Sequence, residues 1–286
     1  MAITTQPLVE GATSGQIAGN KGAFHIFTSY NPLYSLAGFL VGLLVGLTGV
    51  GGGSLMTPLL ILLFGFHPAT AVGTDLLYAS VTKSVGTVVH GKLGTVDWRI
   101  VAGLAMGSIP AAILTIFVMS RVGTMSGHAT GTLNLLLGGT LLVTSISVFF
   151  RPLILRWTGS HIHALEPREM RQWTIALGAL LGILVSVTSV GAGALGTTAL
   201  LILYPRLPGA RIAASDIAHA VPLTLIAGMG HWWMGSVDFT LLIALLVGSI
   251  PGIIVGSLLS GSSSDSGLRP ILAMTLLVVA VRMLLA

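Results

Sequence analysis

Four residues that carry charge or titrate stand inside long apolar runs: Asp75, Lys83, Asp216 and His219. A charged side chain at membrane depth costs about 3 kcal/mol or more and normally faces a cavity or a partner. Lys83, in TDLLYASVTKSVGTVVHGK, is read as a cationic partner for an anionic ligand, with snorkelling to an interface as its bland alternative. It lies eight residues from Asp75, about 12 Å along a helix, which is too far for a pair within one helix. Asp75 and Asp216 follow Thr74 and Ser215 at the starts of two apolar segments, so helix N-capping is the first expectation. A proton or cation site is the other. His219 follows Asp216 at i+3, on the same helix face, and is the better relay candidate. His90 and His231 end two segments, where histidines are more often structural.

A second kind of chemistry belongs to glycine. TGVGGGS at Thr48–Ser54 interrupts an apolar run, and TSVGAGA does the same around Gly191 and Gly193. Bare backbone at membrane depth is tolerated only where protein or water satisfies it. A break followed by a helix start offers unpaired N–H groups, a partial positive charge and close approach to the backbone, which together suit an anion. The expected anion-binding set is therefore Thr48, Gly51, Gly52, Gly53, Ser54, Lys83, Thr188, Ser189, Gly191 and Gly193. Gly38, Gly42 and Gly46 repeat every four residues and are assigned instead to close helix packing.

The elements that must position these residues are membrane helices. Of the 286 residues, 53% are hydrophobic and 7% charged, against about 25% charged in soluble domains. The net charge of +5 is scattered through short loops, with no basic run to suggest nucleic acid. Cysteine is absent, which excludes disulfides and thiolate chemistry. Apolar segments fall at about 33–48, 54–65, 75–91, 99–119, 132–150, 173–190, 194–204, 215–233, 239–260 and 269–285. Most can cross ~30 Å of hydrocarbon as helix. Segments 54–65 and 194–204 cannot, and each directly follows a glycine cluster.

Those short segments belong to an internal repeat. A shift of 140 superposes Gly38 on Gly178, Gly42 on Gly182, Thr48 on Thr188, Gly51 on Gly191, Gly53 on Gly193 and Pro68 on Pro208. A shift of 141 then carries Asp75 onto Asp216, His90 onto His231, Gly94-Thr95-Val96-Asp97 onto Gly235-Ser236-Val237-Asp238, and Gly107-Ser108-Ile109-Pro110 onto Gly248-Ser249-Ile250-Pro251. Each repeat holds five segments. The glycine-linked pair returns to its side of origin and three crossings remain, so the second repeat is expected to be inverted. The fold class is an all-α polytopic membrane protein of 8–10 segments in two inverted repeats with glycine-broken half-helices. The expected organisation is a polar tail at 1–30, membrane repeats at 31–150 and 172–286, and a cytoplasmic linker at 151–171. Lys92, Arg99, Arg151, Arg156, Arg168, Arg171, Arg206, Arg211 and Arg269 share one side, against Lys21, Arg121 and Arg282. The richer side is expected to be cytoplasmic and both termini outside. The lack of a basic n-region makes a cleaved signal peptide unexpected. Asp97 and Asp238 are expected to cap the segments that follow them, the tryptophans to form interfacial belts, and Asn134 to bond between helices.

The stretch GLLVGLTGVGGGSLMTPLLILLFGFHPATAVGTDL, followed by HGKLGTVDWR and GSIPAA, resembles the sulfite exporter TauE/SafE family, also called TSUP or DUF81. The likeness is strong over residues 33–120 and looser over 172–286, where SVGAG replaces a second GGG and Thr198 stands in place of proline. It implies a polytopic transporter or exporter of sulfite, thiosulfate, sulfoacetate or a related sulfonate or organic acid. Binding by both half-helices and rocking of the repeats would alternate access. Coupling to protons through Asp216, His219 or Asp75 is a further expectation. A passive anion channel, or a cation or metal transporter using Asp75 and Asp216, remains open. An enzyme is not expected: there is no HExxH, no GxSxG and no cysteine. There is no Walker A motif for ATP, and no cofactor or metal site is expected; His161 and His163 alone do not make one. The expected partners are a small anion, the cell-membrane lipid and, through small-residue helix faces, a second copy.

Overall fold

A computed structural model describes residues 31–48, 55–92, 94–122, 129–155, 166–191, 193–259 and 265–285, and among them the chain is helical without a strand. The helices are α1 (Pro32–Thr48), α2 (Met56–Leu62), α3 (Pro68–Lys92), α4 (Trp98–Val122), α5 (Ala129–Phe149), α6 (Pro167–Thr188), α7 (Ala194–Leu203), α8 (Gly209–Trp233), α9 (Phe239–Leu259) and α10 (Asp265–Leu285). Four of them, α4, α6, α8 and α9, are long and apolar enough to cross a membrane. Leu114, Phe117 and Leu258 stand 63%, 51% and 74% exposed, as lipid-facing side chains should. The two short elements expected after the glycine clusters are present as α2 and α7.

Two boundaries differ from the hydropathy reading, for a common reason. Helix α3 starts at Pro68 and α8 follows Pro208, seven residues before the apolar windows at 75 and 215 open. Proline is pre-set for a first helical turn, and the small residues of PATAVGT and GARIAA continue the helix without raising hydropathy. Asp75 and Asp216 therefore lie about two turns inside their helices, and the expectation that they cap those helices is corrected. Helix α6 likewise begins within the expected linker. Glu166 is its N-cap, Pro167 its first residue, and the Glu166 N–H donates to Glu169 Oε2 at 3.3 Å to complete a capping box.

Helices pair through small residues. Along α1, a Cβ on Gly42 would come within 2.5 Å of the Ser249 carbonyl of α9, and one on Gly46 within 2.5 Å of the Ile253 carbonyl. Gly248, Gly252 and Gly256 of α9 meet the α1 backbone in return. The same arrangement joins α4 to α6, where a Cβ on Gly182 would sit 2.5 Å from the Ser108 carbonyl. Gly178 meets Leu104 there as Gly38 meets Leu245 in the first pair. Both pairs are parallel, since residue numbers rise together along them.

The repeat correspondence exchanges these two pairs. It leaves the α3–α8 and α5–α10 pairs mapped onto themselves, and both of those are antiparallel. Gly73, near the start of α3, packs on His231 at the end of α8, while Gly228 packs on Leu77. Ser145 donates to the Ala273 carbonyl at 2.8 Å, while Gly138 packs on Leu284. The core is the seam where α3 and α8 cross between the other helices, filled by Leu76, Leu137, Leu141, Val185, Leu223 and their neighbours.

Candidate functional site

The two short helices each meet an aspartate from the long helix that follows. Thr57, in the first turn of α2, donates its hydroxyl to Asp75 Oδ2 at 2.5 Å. Thr197 of α7 stands 3.1 Å from Asp216 Oδ2. The two contacts are repeat mates, because Thr57 and Thr197 are 140 apart. The backbone of Thr57 faces Asp75, and that of Gly193, the N-cap of α7, faces Asp216. Gly196 has no side chain because Oδ1 of Asp216 occupies the place a Cβ would take. The carboxylates thus lie at the N-termini of the short helices, where backbone donors and the helix dipole favour negative charge. The cradle that sequence reading assigned to a ligand is partly filled by the chain itself.

Both aspartates have no exposed surface, and Lys83 is 6% exposed. The Lys83 charge meets those of Asp216 and Asp75, and acts on His219 as well. Lys83 lies in α3, and its repeat mate in α8 is Thr224, whose hydroxyl bonds, among the described residues, back to its own helix at Ala220 and Val221. The otherwise matched halves thus have two carboxylates and one ammonium. Oδ1 of Asp75 and Oδ1 of Asp216 are buried without a hydrogen-bond partner among the described residues.

Serines from the GSIP tetrads close the site. Ser108 Oγ lies 2.8 Å from Nε2 of His219, and Ser249 Oγ lies 3.0 Å from Thr82 Oγ1. Tyr78, the repeat mate of His219, also faces Ser249. The second glycine break reaches into the same region. Ser189 takes a left-handed φ of 57°, rare for a residue with a side chain, and approaches the Asp75 carboxylate. Gly191 and Gly193 have φ of 119° and 129°, which only glycine adopts easily.

The expected site residues divide as follows. Lys83, Asp75, Asp216, His219, Ser189 and Gly193 come together. The Thr188 hydroxyl serves its own break, donating to the Leu184 carbonyl at 2.7 Å and accepting from the Val190 N–H at 3.2 Å. Gly191 accepts at its carbonyl from the Gly196 N–H at 3.1 Å. His231 stands apart. Its Nε2 is 2.9 Å from the Ser186 carbonyl, which can only accept, so that nitrogen carries the hydrogen and the ring satisfies one of the last carbonyls of α6. Gly51, Gly52, Gly53, Ser54, His161 and His163 lie outside the described residues, as do the side chains of Thr48 and His90. Asp97 and Asp238 are caps as expected: Asp97 Oδ1 accepts from the Arg99 N–H at 3.1 Å and Asp238 Oδ1 from the Leu241 N–H at 2.9 Å. Asn134 Oδ1 finds no partner among the described residues. Also among them, no three histidine or acidic side chains cluster tightly enough to hold a metal.

Sequence reading missed Thr57, Thr197, Tyr78, Ser108, Ser249 and Gly196. Each but Gly196 has a polar mate in the repeat register, which was the available signal: polar at both copies of an apolar helix position.

The family model described as sulfite exporter TauE/SafE matches residues 34–283. A probable membrane transporter protein, YjnA of Bacillus subtilis (strain 168), is 40% identical over 87% of this chain and 98% of its own length. A second from the same organism, YdhB, is 28% identical over 79% of this chain and 88% of its own. A probable membrane transporter protein of Xylella fastidiosa (strain 9a5c) is 27% identical over 80% and 85%. No solved structure matches the chain. A family match spanning nearly all the helices, on an all-helical, lipid-facing fold with a buried ionic centre, makes this chain a multi-pass membrane protein of the sulfite exporter TauE/SafE family of transporters.

Proposed function

We propose that the chain is a secondary transporter of a small sulfur-containing anion, such as sulfite, thiosulfate, sulfoacetate or a similar sulfonate or organic acid. The observation that carries this reading is Lys83, a buried ammonium whose charge meets those of both buried carboxylates beside the short helices. A buried cation in a centre that also holds helix N-termini is the electrostatics an oxyanion needs. The family's description supplies the substrate class. The relatives' names, as transporters, speak for movement of the substrate rather than its conversion.

The two repeats are inverted and rock against one another, exposing the site alternately. The antiparallel course of the matched helices α3 and α8, and of α5 and α10, supports this. The protein sits in the cell membrane with the linker 151–171 in the cytoplasm and both termini outside, and small-residue faces permit a homodimer. Protons couple through Asp216, Asp75 and His219.

The test is a thermal-shift screen of the purified protein against sulfite, sulfate, thiosulfate, sulfoacetate, taurine and simple carboxylates, with Lys83→Met beside it. A ligand of the folded state raises the melting temperature by mass action. A sulfur oxyanion that stabilises the wild type and leaves Lys83→Met unmoved supports the reading. Stabilisation by Na⁺ or a divalent cation alone sinks it. Saturable counterflow in proteoliposomes then separates a carrier from a channel.

A further inference from the structure

The two repeats are tied to one another at both ends of the α3–α8 seam. At one end Asp97, the residue before α4, donates its N–H to Ser215 Oγ at 2.8 Å, and the Ser215 hydroxyl donates to the Arg211 carbonyl at 2.7 Å. Oδ2 of Asp97 lies 3.6 Å from the Arg211 guanidinium, so this ring of contacts begins and ends on Arg211. At the other end the Asp238 N–H donates to Thr74 Oγ1 at 3.0 Å. Each tie joins the turn of one repeat to the long helix of the other. Each also lands on the residue before a carboxylate of the buried centre: Ser215 precedes Asp216, Thr74 precedes Asp75, and none of the four has exposed surface. Drawing either turn off its helix therefore breaks contact beside the centre. The ends differ in one respect. The repeat register sets Arg211 against Thr70 or Ala71, depending on where the one-residue insertion falls, and neither is basic. The backbone tie is common to both ends, and the Arg211 charge belongs to the Asp97 end.

We propose that the two ties are the gates of the centre and that the Asp97–Arg211 pair latches one of them, so that without ligand the molecule opens more readily at the Asp238 end. The inference rests on the alternating-access reading above, under whose sidedness the latched end is cytoplasmic. An ion pair made in only one of two states shifts their populations by its own strength. The Arg211 and Asp97 side chains are 46% and 20% exposed, so the shift is modest and salt screens it. A latch has to be weak, because it must open in every cycle. Behind it, Val96 and Val101 pack on Ala214 and Ala218 of α8, and all four are buried. That contact must part if the Asp97 end opens. At the opposite end Ala71, without exposed surface, lies in the cluster that joins α3 to the start of α9.

Because the chain has no cysteine, single cysteines report each end. Ala214→Cys and Ala71→Cys are made separately in the full chain, placed in nanodiscs without ligand and labelled with a small maleimide. The labelling rate follows the open population when opening is fast relative to reaction. Adding Arg211→Gln should raise labelling at position 214 by about two- to fivefold, the range that an exposed pair supplies, and lower it at position 71. Asp97→Asn leaves the backbone tie in place and should act as Arg211→Gln does, and the two together should do no more than either alone. Salt at about 1 M should raise labelling at position 214 in the otherwise unchanged chain and leave the Arg211→Gln background unmoved, which general loosening of the fold would not do. Ala218→Cys, in the same contact, replaces Ala214→Cys if that variant fails to fold. A rate at position 214 that neither substitution changes overturns the latch, as do effects that add or a salt response that survives Arg211→Gln. A rise at position 214 with no fall at position 71 keeps the latch and overturns the alternation of the two ends.

Discussion

Lys83 is where a single side chain matters most. A charged hydrogen bond contributes about 1.5–3 kcal/mol, so Lys83→Met should lower anion affinity by about 10- to 100-fold, read by titration calorimetry. The repeat mates Asp75 and Asp216 should respond alike to the same change. Asp75→Asn and Asp216→Asn each remove one buried counter-charge from a buried lysine and should destabilise the fold by about 3 kcal/mol, the usual loss when one partner of a buried pair is removed. Chemical denaturation of the two variants side by side measures it, and a loss at only one of them would contradict it. His231 should behave as a structural group: His231→Leu strands the Ser186 carbonyl and should lower stability by about 1–2 kcal/mol.

At the scale of elements, the glycine stripes decide whether the parallel pairs can form. A side chain at Gly42 or Gly182 would meet a backbone carbonyl at 2.5 Å, and a backbone cannot rotate away as a side chain can. Gly42→Leu and Gly182→Leu should therefore each prevent folding to a monodisperse species, seen by size-exclusion chromatography in detergent. Gly139, with open space beside its Cα, should accept alanine without loss in the same assay. Two turns show the repeat at work on the backbone. Gly94 and Gly235 take φ of 66° and 74° in the matched G-T/S-V-D turns. These turns are tied across the molecule, with the Asp97 N–H donating to Ser215 Oγ at 2.8 Å and the Asp238 N–H to Thr74 Oγ1 at 3.0 Å. Thr74 and Ser215, read from sequence as neighbours of helix caps, instead hold the opposite repeat's turn.

For the whole molecule, the open quantity is sidedness, and the absence of cysteine makes it directly measurable. A single cysteine placed at Ser160 should react with a membrane-impermeant maleimide only after cells are opened. One placed at Ser14 should react from outside. Labelling in the reverse order would invert the topology derived from the basic residues. Much of the architecture was legible at this scale: the two short helices, the long ones around them and the internal repeat all followed from hydropathy, glycine and register. The start of α3 at Pro68 was not, because alanine, glycine and threonine form helix in a packed interior without the hydropathy that a window detects.

Sequence by itself determined that the chain lives in lipid and that its halves repeat one another in register. These follow from composition and register, which are properties of the chain in one dimension. Only the tertiary structure decided what the aspartates do. Asp75 and Asp216 lie some twenty residues along the chain from Thr57 and Thr197, and no local pattern says that a long helix will fold back to place its second turn against the start of a short one. Burial then sets the chemistry. Away from water, two carboxylates and one ammonium must settle their charges among themselves.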